Sequence, residues 1–158
     1  NRYLFEVRRD VADIPVSMGA GDAMRFETVA SVMAEELGKP YQYGRADCFM
    51  LGCAVVDVLT GSELGVTYGG RYRTLAGAQK ALRKECCKSL VDFFGTVIGL
   101  EIQAPCMARI GDLAILELDH NGRKAEHVAV FNGRTFTTKT EAGPASHGFD
   151  AVKACFKV

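Results

Sequence analysis

The chain has 158 residues, of which 48% are hydrophobic and 24% are charged. This length and balance are typical of a single globular domain with a buried core, and they argue against several domains. Nineteen basic and nineteen acidic residues leave a formal net charge of zero, so no overall field draws the chain to nucleic acid or to an anionic membrane.

The apolar segments are too short to cross a membrane. The longest one, residues 49–59, is interrupted by Asp57 and falls well below the roughly 20 residues that a spanning helix needs. Residues 1–10 lack the apolar segment and the small-residue cleavage site of a secretory signal. The sequence therefore predicts no membrane span and a chain that is soluble where it is made.

Residues 1–21 are predicted to form an N-terminal arm, separate from a domain over residues 22–158. Pro15, Gly19 and Gly21 break any regular pattern in this arm. Its apolar side chains are Leu4, Phe5, Val7, Val11, Ile14 and Val16. Because that much apolar surface is unfavourable in water, we expect the arm to pack on a partner chain or back across its own sheet.

Two long helices are predicted next. After Met24, apolar residues recur at helical spacing, with Asp22 as the expected N-cap and Gly38 as the stop. The recurring residues are Phe26, Val29, Ala30, Met33 and Leu37. A second helix is predicted over residues 48–59, with Asp47 as its N-cap. It is apolar on almost every side, so we expect it to be the buried central helix.

Two shorter helices follow the glycine-rich passage of residues 65–70. Thr74 is the expected cap of a helix that carries Leu75, Ala78, Ala81 and Leu82 at helical spacing. A further short helix is predicted over residues 89–97.

The last third of the chain changes to period-two alternation. Residues 113–118 and 126–131 are predicted to pair as a hairpin around residues 119–122, where Asn-Gly favours a tight turn. Residues 134–138 and 151–158 are the third and fourth predicted strands. Helices followed by an antiparallel sheet predict an α+β fold.

The chain has six cysteines, at positions 48, 53, 86, 87, 106 and 155. An even number permits disulfides, but a core of this size does not need them. Structural zinc is the less favoured alternative, because no Cys-x-x-Cys occurs and the three histidines are scattered. We expect most of the cysteines to be small buried hydrophobic residues, and we predict no metal or cofactor.

Cys48 is the candidate nucleophile because it opens the predicted central helix. Unpaired N–H groups and the helix dipole there favour negative charge, which would lower the pKa of a thiol and stabilise an oxyanion. On this interpretation Cys48 is the most reactive of the six thiols near neutral pH. The competing interpretation is that Cys48 is one more inert buried cysteine.

His127 is the candidate base, since it begins the alternating apolar strand of residues 127–131. A histidine at a strand start faces a cleft more readily than the core, although a solvated surface histidine is the alternative. His120 and His147 are predicted in a turn and a loop, where they would be solvated. A long separation between Cys48 and His127 is no objection, because such pairs meet in space.

Several motifs in order carry a resemblance to a known family. They are Pro-Tyr-Gln-Tyr-Gly at 40–44, Asp-Cys at 47–48, Gly-Asp-Leu-Ala-Ile at 111–115, His-Val-Ala-Val-Phe at 127–131 and Gly-Arg-Thr-Phe at 133–136. This order resembles the NlpC-type papain-like cysteine peptidases. More closely, residues 26–158 resemble a tailed-phage and prophage branch of that superfamily, which also shows Gly-Arg-Tyr-Arg-Thr, here at 70–74.

The resemblance implies a papain-like fold and specific roles for four residues. Cys48 would be the nucleophile and His127 the base, Tyr41 would line the nucleophile and help the oxyanion, and Thr137 would orient the histidine. The sequence departs from the family pattern in three places: a threonine stands where the family has His, Asn or Gln, Arg45 replaces a second glycine, and Phe49-Met50 replaces Ser-Gly. Asp112 or Glu126 could substitute for the weak third residue.

The resemblance also implies a function. It is that of a phage-tail hydrolase, a cysteine peptidase or amidase that degrades the cell wall by cutting its peptide stems. The implied partners are peptidoglycan peptide and other tail or baseplate proteins, and the implied location is the tail tip of the virion after synthesis in the host cytoplasm. Two alternatives stay open: a structural tail-tip or tail-assembly component with the same fold and little or no activity, and an acyltransferase with the same Cys-His dyad.

Overall fold

The computed structural model describes residues 20–158, so most of the predicted N-terminal arm lies outside the described residues. The helices are α1 (Ala20–Gly38), α2 (Cys48–Thr60), α3 (Leu64–Tyr68), α4 (Leu75–Lys84) and α5 (Leu90–Asp92), which continues as a π-helical turn, Phe93–Val97. The strands are β1 (Glu101–Gln103), β2 (Leu113–His120), β3 (Arg123–Phe131), β4 (Phe136–Thr140), β5 (Gly143–His147) and β6 (Val152–Lys157). Helices precede an antiparallel sheet, which confirms the predicted α+β class.

The six strands form one sheet in the order β1-β6-β2-β3-β4-β5, with antiparallel neighbours throughout. The β2–β3 hairpin closes at Asn121 and Gly122, whose φ angles are 53° and 79°. Positive φ at both central residues defines the type I′ turn that the Asn-Gly pair predicts. The hairpin register places Val128 opposite Ile115 and His127 opposite Leu116.

Helices α1 and α2 supply the core on one face of the sheet, where alternate residues of β2, β3 and β6 meet them. The buried residues of this core include Val29, Met33, Leu51, Val55, Leu113, Ile115, Val128, Val130 and Phe156. The prediction that α2 is a buried central helix is confirmed, as is the apolar stripe of α1. A smaller cluster on the other face holds Ala114, Leu116, Ala129, Phe131, Phe136 and Cys155.

The helix boundaries differ from the prediction in two places. Helix α1 already includes Ala20, the first described residue, so Asp22 lies within the helix and not at the N-cap, and residues 20–21 belong to the helix instead of the arm. The glycine-rich passage contains helix α3. Its first N–H groups, at Leu64 and Gly65, donate to the carboxylate of Asp57 at 2.7 and 2.9 Å. This stabilisation comes from α2, which local sequence patterns do not register.

The sheet is larger than predicted because strand pairing overrides local composition. The loop expected around His147 is strand β5, which pairs with β4 from Phe136–His147 to Thr140–Gly143. Pro144 is tolerated there because β5 is an edge strand, whose outer N–H groups need no partner in the sheet. His120 is the last residue of β2 and does not belong to the turn.

Gly52 lies where α2 crosses β3, and its lack of a side chain permits the close approach. A Cβ atom there would come within 2.5 Å of Val128 Cγ1. Glycine-to-alanine changes in helices normally stabilise by up to about 1 kcal/mol. We expect Gly52→Ala instead to lower the free energy of unfolding by about 1–3 kcal/mol through overpacking, as measured by denaturant titration.

Gly21→Ala is the matched control, because Gly21 is also helical and a Cβ there meets no atom within 4 Å. Its stability should be unchanged or slightly higher. A Gly52→Ala protein as stable as the control would contradict close packing between α2 and β3.

Candidate functional site

Asp47 fixes the N-terminus of α2 and therefore the position of Cys48. One carboxylate oxygen, Oδ1, accepts from the backbone N–H of Met50 at 2.9 Å, which confirms the predicted N-cap. The other, Oδ2, accepts from the N–H of Gly44 at 2.9 Å and from the hydroxyl of Tyr72 at 2.6 Å. The aspartate is buried, and these donors compensate for its removal from water.

The thiol of Cys48 lies against β3 at Val128, the residue that follows His127. The backbone N–H groups of Val128, Phe49 and Cys48 itself lie close enough to the sulfur to lower the pKa of the thiol. Val128 follows His127 in β3, so the structure brings the candidate nucleophile to the strand position adjacent to the candidate base. His127 is partly buried, and its Nδ1 atom is shielded from solvent.

The side chains of β3 alternate between the two faces of the sheet. Val128 and Val130 belong to the helix-facing cluster, whereas Ala129 and Phe131 belong to the opposite cluster. Alternation therefore assigns the side chain of His127 to the face of Ala129. The carbonyl of Val128 accepts from Thr138 Oγ1 at 2.7 Å, so the peptide groups of Val128 face β4. The sulfur thus lies on the β4 side of β3, and Cys48 packs against the helix-facing cluster of the sheet.

The environment of Cys48 opposes ionisation. Burial and the negative charge of Asp47 raise the pKa of the thiol to about 12, and the backbone hydrogen bonds lower it by less. The prediction of a lowered pKa is therefore wrong. It took account of the helix N-terminus but not of desolvation or of the neighbouring carboxylate, both of which disfavour a thiolate.

The raised pKa of Cys48 predicts the order in which the thiols react. Because the thiolate is the nucleophile, limiting iodoacetamide at pH 8 should label the exposed Cys86 and Cys106 at least about ten times faster than Cys48. Labelling of Cys48 should keep rising with pH after the exposed thiols have levelled off. Peptide mapping by mass spectrometry measures all three sites in one sample, and denaturant should equalise them. Faster labelling of Cys48 than of Cys86 in the folded protein would contradict the raised pKa.

Tyr41 and Tyr43 lie on the same side of the site, in the loop before α2. Burial, followed by the negative charge that Cys48 carries when it is ionised, raises the pKa of Tyr41. The two rings meet edge to face at 5.2 Å, and the Tyr43 hydroxyl donates to Glu141 Oε1 at 2.6 Å. Burial, followed by this bond, raises the pKa of Tyr43 to about 12. The structure thus places Tyr41 near Cys48 and ties its loop to the β4–β5 turn.

Thr137 does not lie at the strand position next to His127. It pairs with Val130, three residues further along β3, or about 10 Å at strand spacing. Its hydroxyl accepts from Asn132 Nδ2 at 3.0 Å and lies 3.4 Å from Ser146 Oγ. The position counted forward from Gly133 therefore falls too early in β4 to orient the histidine.

The two substitutes for Thr137 are also engaged elsewhere. Asp112 precedes β2 at the far end of the hairpin, four residues from Leu116, which is the partner of His127. Glu126 accepts from the N–H of Leu90 at 3.1 Å and from Lys153 Nζ at 3.3 Å.

Tyr72 is the residue of this site that the sequence analysis left without a role. It belongs to the Gly-Arg-Tyr-Arg-Thr segment, which lies against the loop before α2. The N–H of Gly70 donates to the carbonyl of Gly44 at 2.8 Å. Gly44 has φ 78°, and a Cβ there would overlap the carbonyl oxygen of Tyr72. The motif itself was the available signal, since a tyrosine between two arginines before a helix cap has no evident core role.

All six cysteines are free thiols, with Cys53, Cys87 and Cys155 buried and Cys86 and Cys106 exposed. Within residues 20–158, no group of three or more His, Cys, Asp or Glu side chains is arranged to hold a metal ion. In that same range, the helices lack the length and apolar character that crossing a membrane requires.

The fold and this site define an α+β domain with a cysteine at the N-terminus of its central helix and a histidine on the adjoining strand. Residues 24–158 match the family described as Domain of unknown function (DUF6950), and the chain belongs to that family. The match begins inside α1 and covers the remaining elements through β6. Comparison with curated proteins and with solved structures finds no match.

Proposed function

We propose that this protein is a cysteine peptidase or amidase of the papain-like, NlpC type, with Cys48 as nucleophile and His127 as base. The observation that carries the proposal is the proximity of the Cys48 thiol to the backbone of Val128, the residue after His127. A thiol at the first turn of a buried helix and an imidazole at the start of the adjoining strand are the two groups that such catalysis needs.

The raised pKa determines how the first step proceeds. The thiol is protonated at neutral pH, so sulfur attacks a peptide carbonyl only as His127 accepts its proton. The S–C bond forms, the C–N bond breaks, and the imidazolium returns that proton to the leaving amine. Water then hydrolyses the thioester with His127 as base, releasing the carboxylic acid and the free thiol.

The N-terminus of α2 supplies the stabilisation of the oxyanion. The N–H groups of Cys48 and Phe49 lie in the first turn, where no intrahelical acceptor exists, and both approach the sulfur. Donors at that position point to where charge develops on the attacked carbonyl. In this proposal Tyr41 contributes a hydroxyl near Cys48, and its raised pKa keeps that hydroxyl protonated.

The resemblance to the tailed-phage branch supports the choice of substrate and setting. The substrate is a peptide stem of bacterial peptidoglycan, and the protein acts at the tail tip of a virion among other tail or baseplate proteins. The DUF6950 match spans the Cys48 and His127 motifs together with the Gly-Arg-Tyr-Arg-Thr segment of that branch.

A second candidate function is a structural tail-tip or tail-assembly component with the same fold and little or no activity. Two observations favour it: the partly buried Cys48 lies beside a carboxylate, and the hydroxyl of Thr137 is bound to Asn132.

Incubation of the purified full chain with isolated peptidoglycan, followed by mass spectrometry of the released fragments, separates the two functions. Release of peptide fragments at a rate above that of buffer supports the enzyme. No release, together with normal assembly of particles that carry Cys48→Ala, establishes the structural component.

A further inference from the structure

Tyr72 connects the segment between α3 and α4 to the group that precedes the nucleophile. Its side chain is partly buried, and its hydroxyl donates to Asp47 Oδ2 at 2.6 Å. The backbone bond from Gly70 to Gly44 holds the same segment against the same loop. The contact is therefore a fixed part of the fold around Cys48.

Asp47 faces Cys48 with a negative charge. Its carboxylate has three donors, two of which are the backbone N–H groups of Gly44 and Met50. The third, Tyr72, is a side chain and can be removed without altering the backbone. The other titratable groups around the thiol are Tyr41 and Tyr43 in the loop, Cys53 in α2 and His127 on β3.

We propose that Tyr72 is a positioning residue that sets the reactivity of Cys48 by drawing negative charge away from the Asp47 carboxylate. This inference rests on the proposed role of Cys48 as nucleophile. A strong hydroxyl donor spreads the charge of a carboxylate into the hydrogen bond, so a neighbouring thiol experiences less repulsion on ionising. The Gly-Arg-Tyr-Arg-Thr motif thereby acts on the site without touching substrate.

Two substitutions should change the alkylation rate of Cys48 in opposite directions. Tyr72→Phe removes the donor and leaves the full charge beside the sulfur, so alkylation of Cys48 at pH 8 should slow about threefold. Asp47→Asn removes the charge and keeps a residue that caps helices well, so alkylation should become about tenfold faster. Tyr68→Phe, which removes a hydroxyl from α3 outside this contact, should leave the rate unchanged.

The measurement is the rate of iodoacetamide labelling of Cys48 divided by that of Cys86 in the same sample, from pH 7 to 10, by peptide mapping. The exposed Cys86 corrects for reagent and pH, and circular dichroism establishes that each variant is folded. Opposite shifts of the two variants support the inference. Shifts of both variants in the same direction would overturn the inference, because they would indicate that a loosened fold exposes the thiol. No shift in Tyr72→Phe would also overturn it.

Release of peptidoglycan fragments by the same proteins separates this inference from the proposed function. Opposite shifts in labelling without any hydrolysis by the wild type would retain the Tyr72–Asp47 control of the thiol and reject the peptidase. Hydrolysis with unchanged labelling in Tyr72→Phe would retain the peptidase and reject the influence of Tyr72 on the thiol.

Discussion

Cys48→Ala is expected to abolish release of peptide fragments from isolated peptidoglycan, with at least a 1000-fold loss of rate, on the order of what removing a covalent nucleophile costs. The substitution removes the atom that forms the acyl-enzyme and leaves Asp47 and the first turn of α2 in place. Alanine is also a good helix former, so the fold should be retained. The rate is measured by mass spectrometry of soluble fragments against time.

His127→Ala should cause a loss of similar size, because the protonated thiol then has no imidazole to accept its proton. Thr137→Ala is the informative control. Its hydroxyl is bound to Asn132, so its removal should affect stability more than catalysis. Full activity of the His127→Ala protein would exclude the dyad, and a Thr137→Ala protein as inactive as Cys48→Ala would require Thr137 to act at the site.

The helices and the hairpin could be predicted because their signals are local. Phe26, Met33 and Leu37 repeat at helical spacing, and the Asn121-Gly122 pair specifies a tight turn. Strand β5 could not, because Gly143 and Pro144 are typical of loops and only pairing with β4 makes them a strand. The start of α3 depends in the same way on Asp57, seven residues earlier in α2.

The same distinction between local signals and long-range contacts applies to the site. The position of Cys48 at a helix start follows from the local cap, Asp47, and could be predicted. Its pKa could not, since desolvation depends on what α2 packs against. Counting from Gly133 predicts Thr137 as the orienting residue, whereas the β3–β4 register decides which residues face each other. Tyr72 reaches Asp47 across 25 positions of sequence, a contact that no spacing rule predicts.

The second large effect is expected at Asp112, which ties together parts of the chain remote from Cys48. Its carboxylate is fully buried and accepts four hydrogen bonds. The donors are Arg25 Nη2 at 3.2 Å, Gln103 Nε2 at 2.8 Å, and the backbone N–H groups of Arg109 and Val158, both at 2.9 Å. These donors come from α1, from β1, from the loop before β2 and from the end of the chain after β6.

Asp112→Ala should therefore lower the free energy of unfolding by about 3–5 kcal/mol, because it leaves three donors without their acceptor and the largely buried guanidinium of Arg25 without its counter-charge. The guanidinium would keep the backbone carbonyls of Ile110 and Val158 as acceptors. Denaturant titration measures the loss. Glu117→Ala is the matched control: it removes a carboxylate that pairs with Lys124 and Lys153 near the surface, and it should cost no more than about 1 kcal/mol. Equal losses in the two variants would contradict the central role of Asp112. A much larger loss for Asp112→Ala, with Cys48 labelling unchanged in the protein that remains folded, would establish that this network stabilises the domain independently of the site.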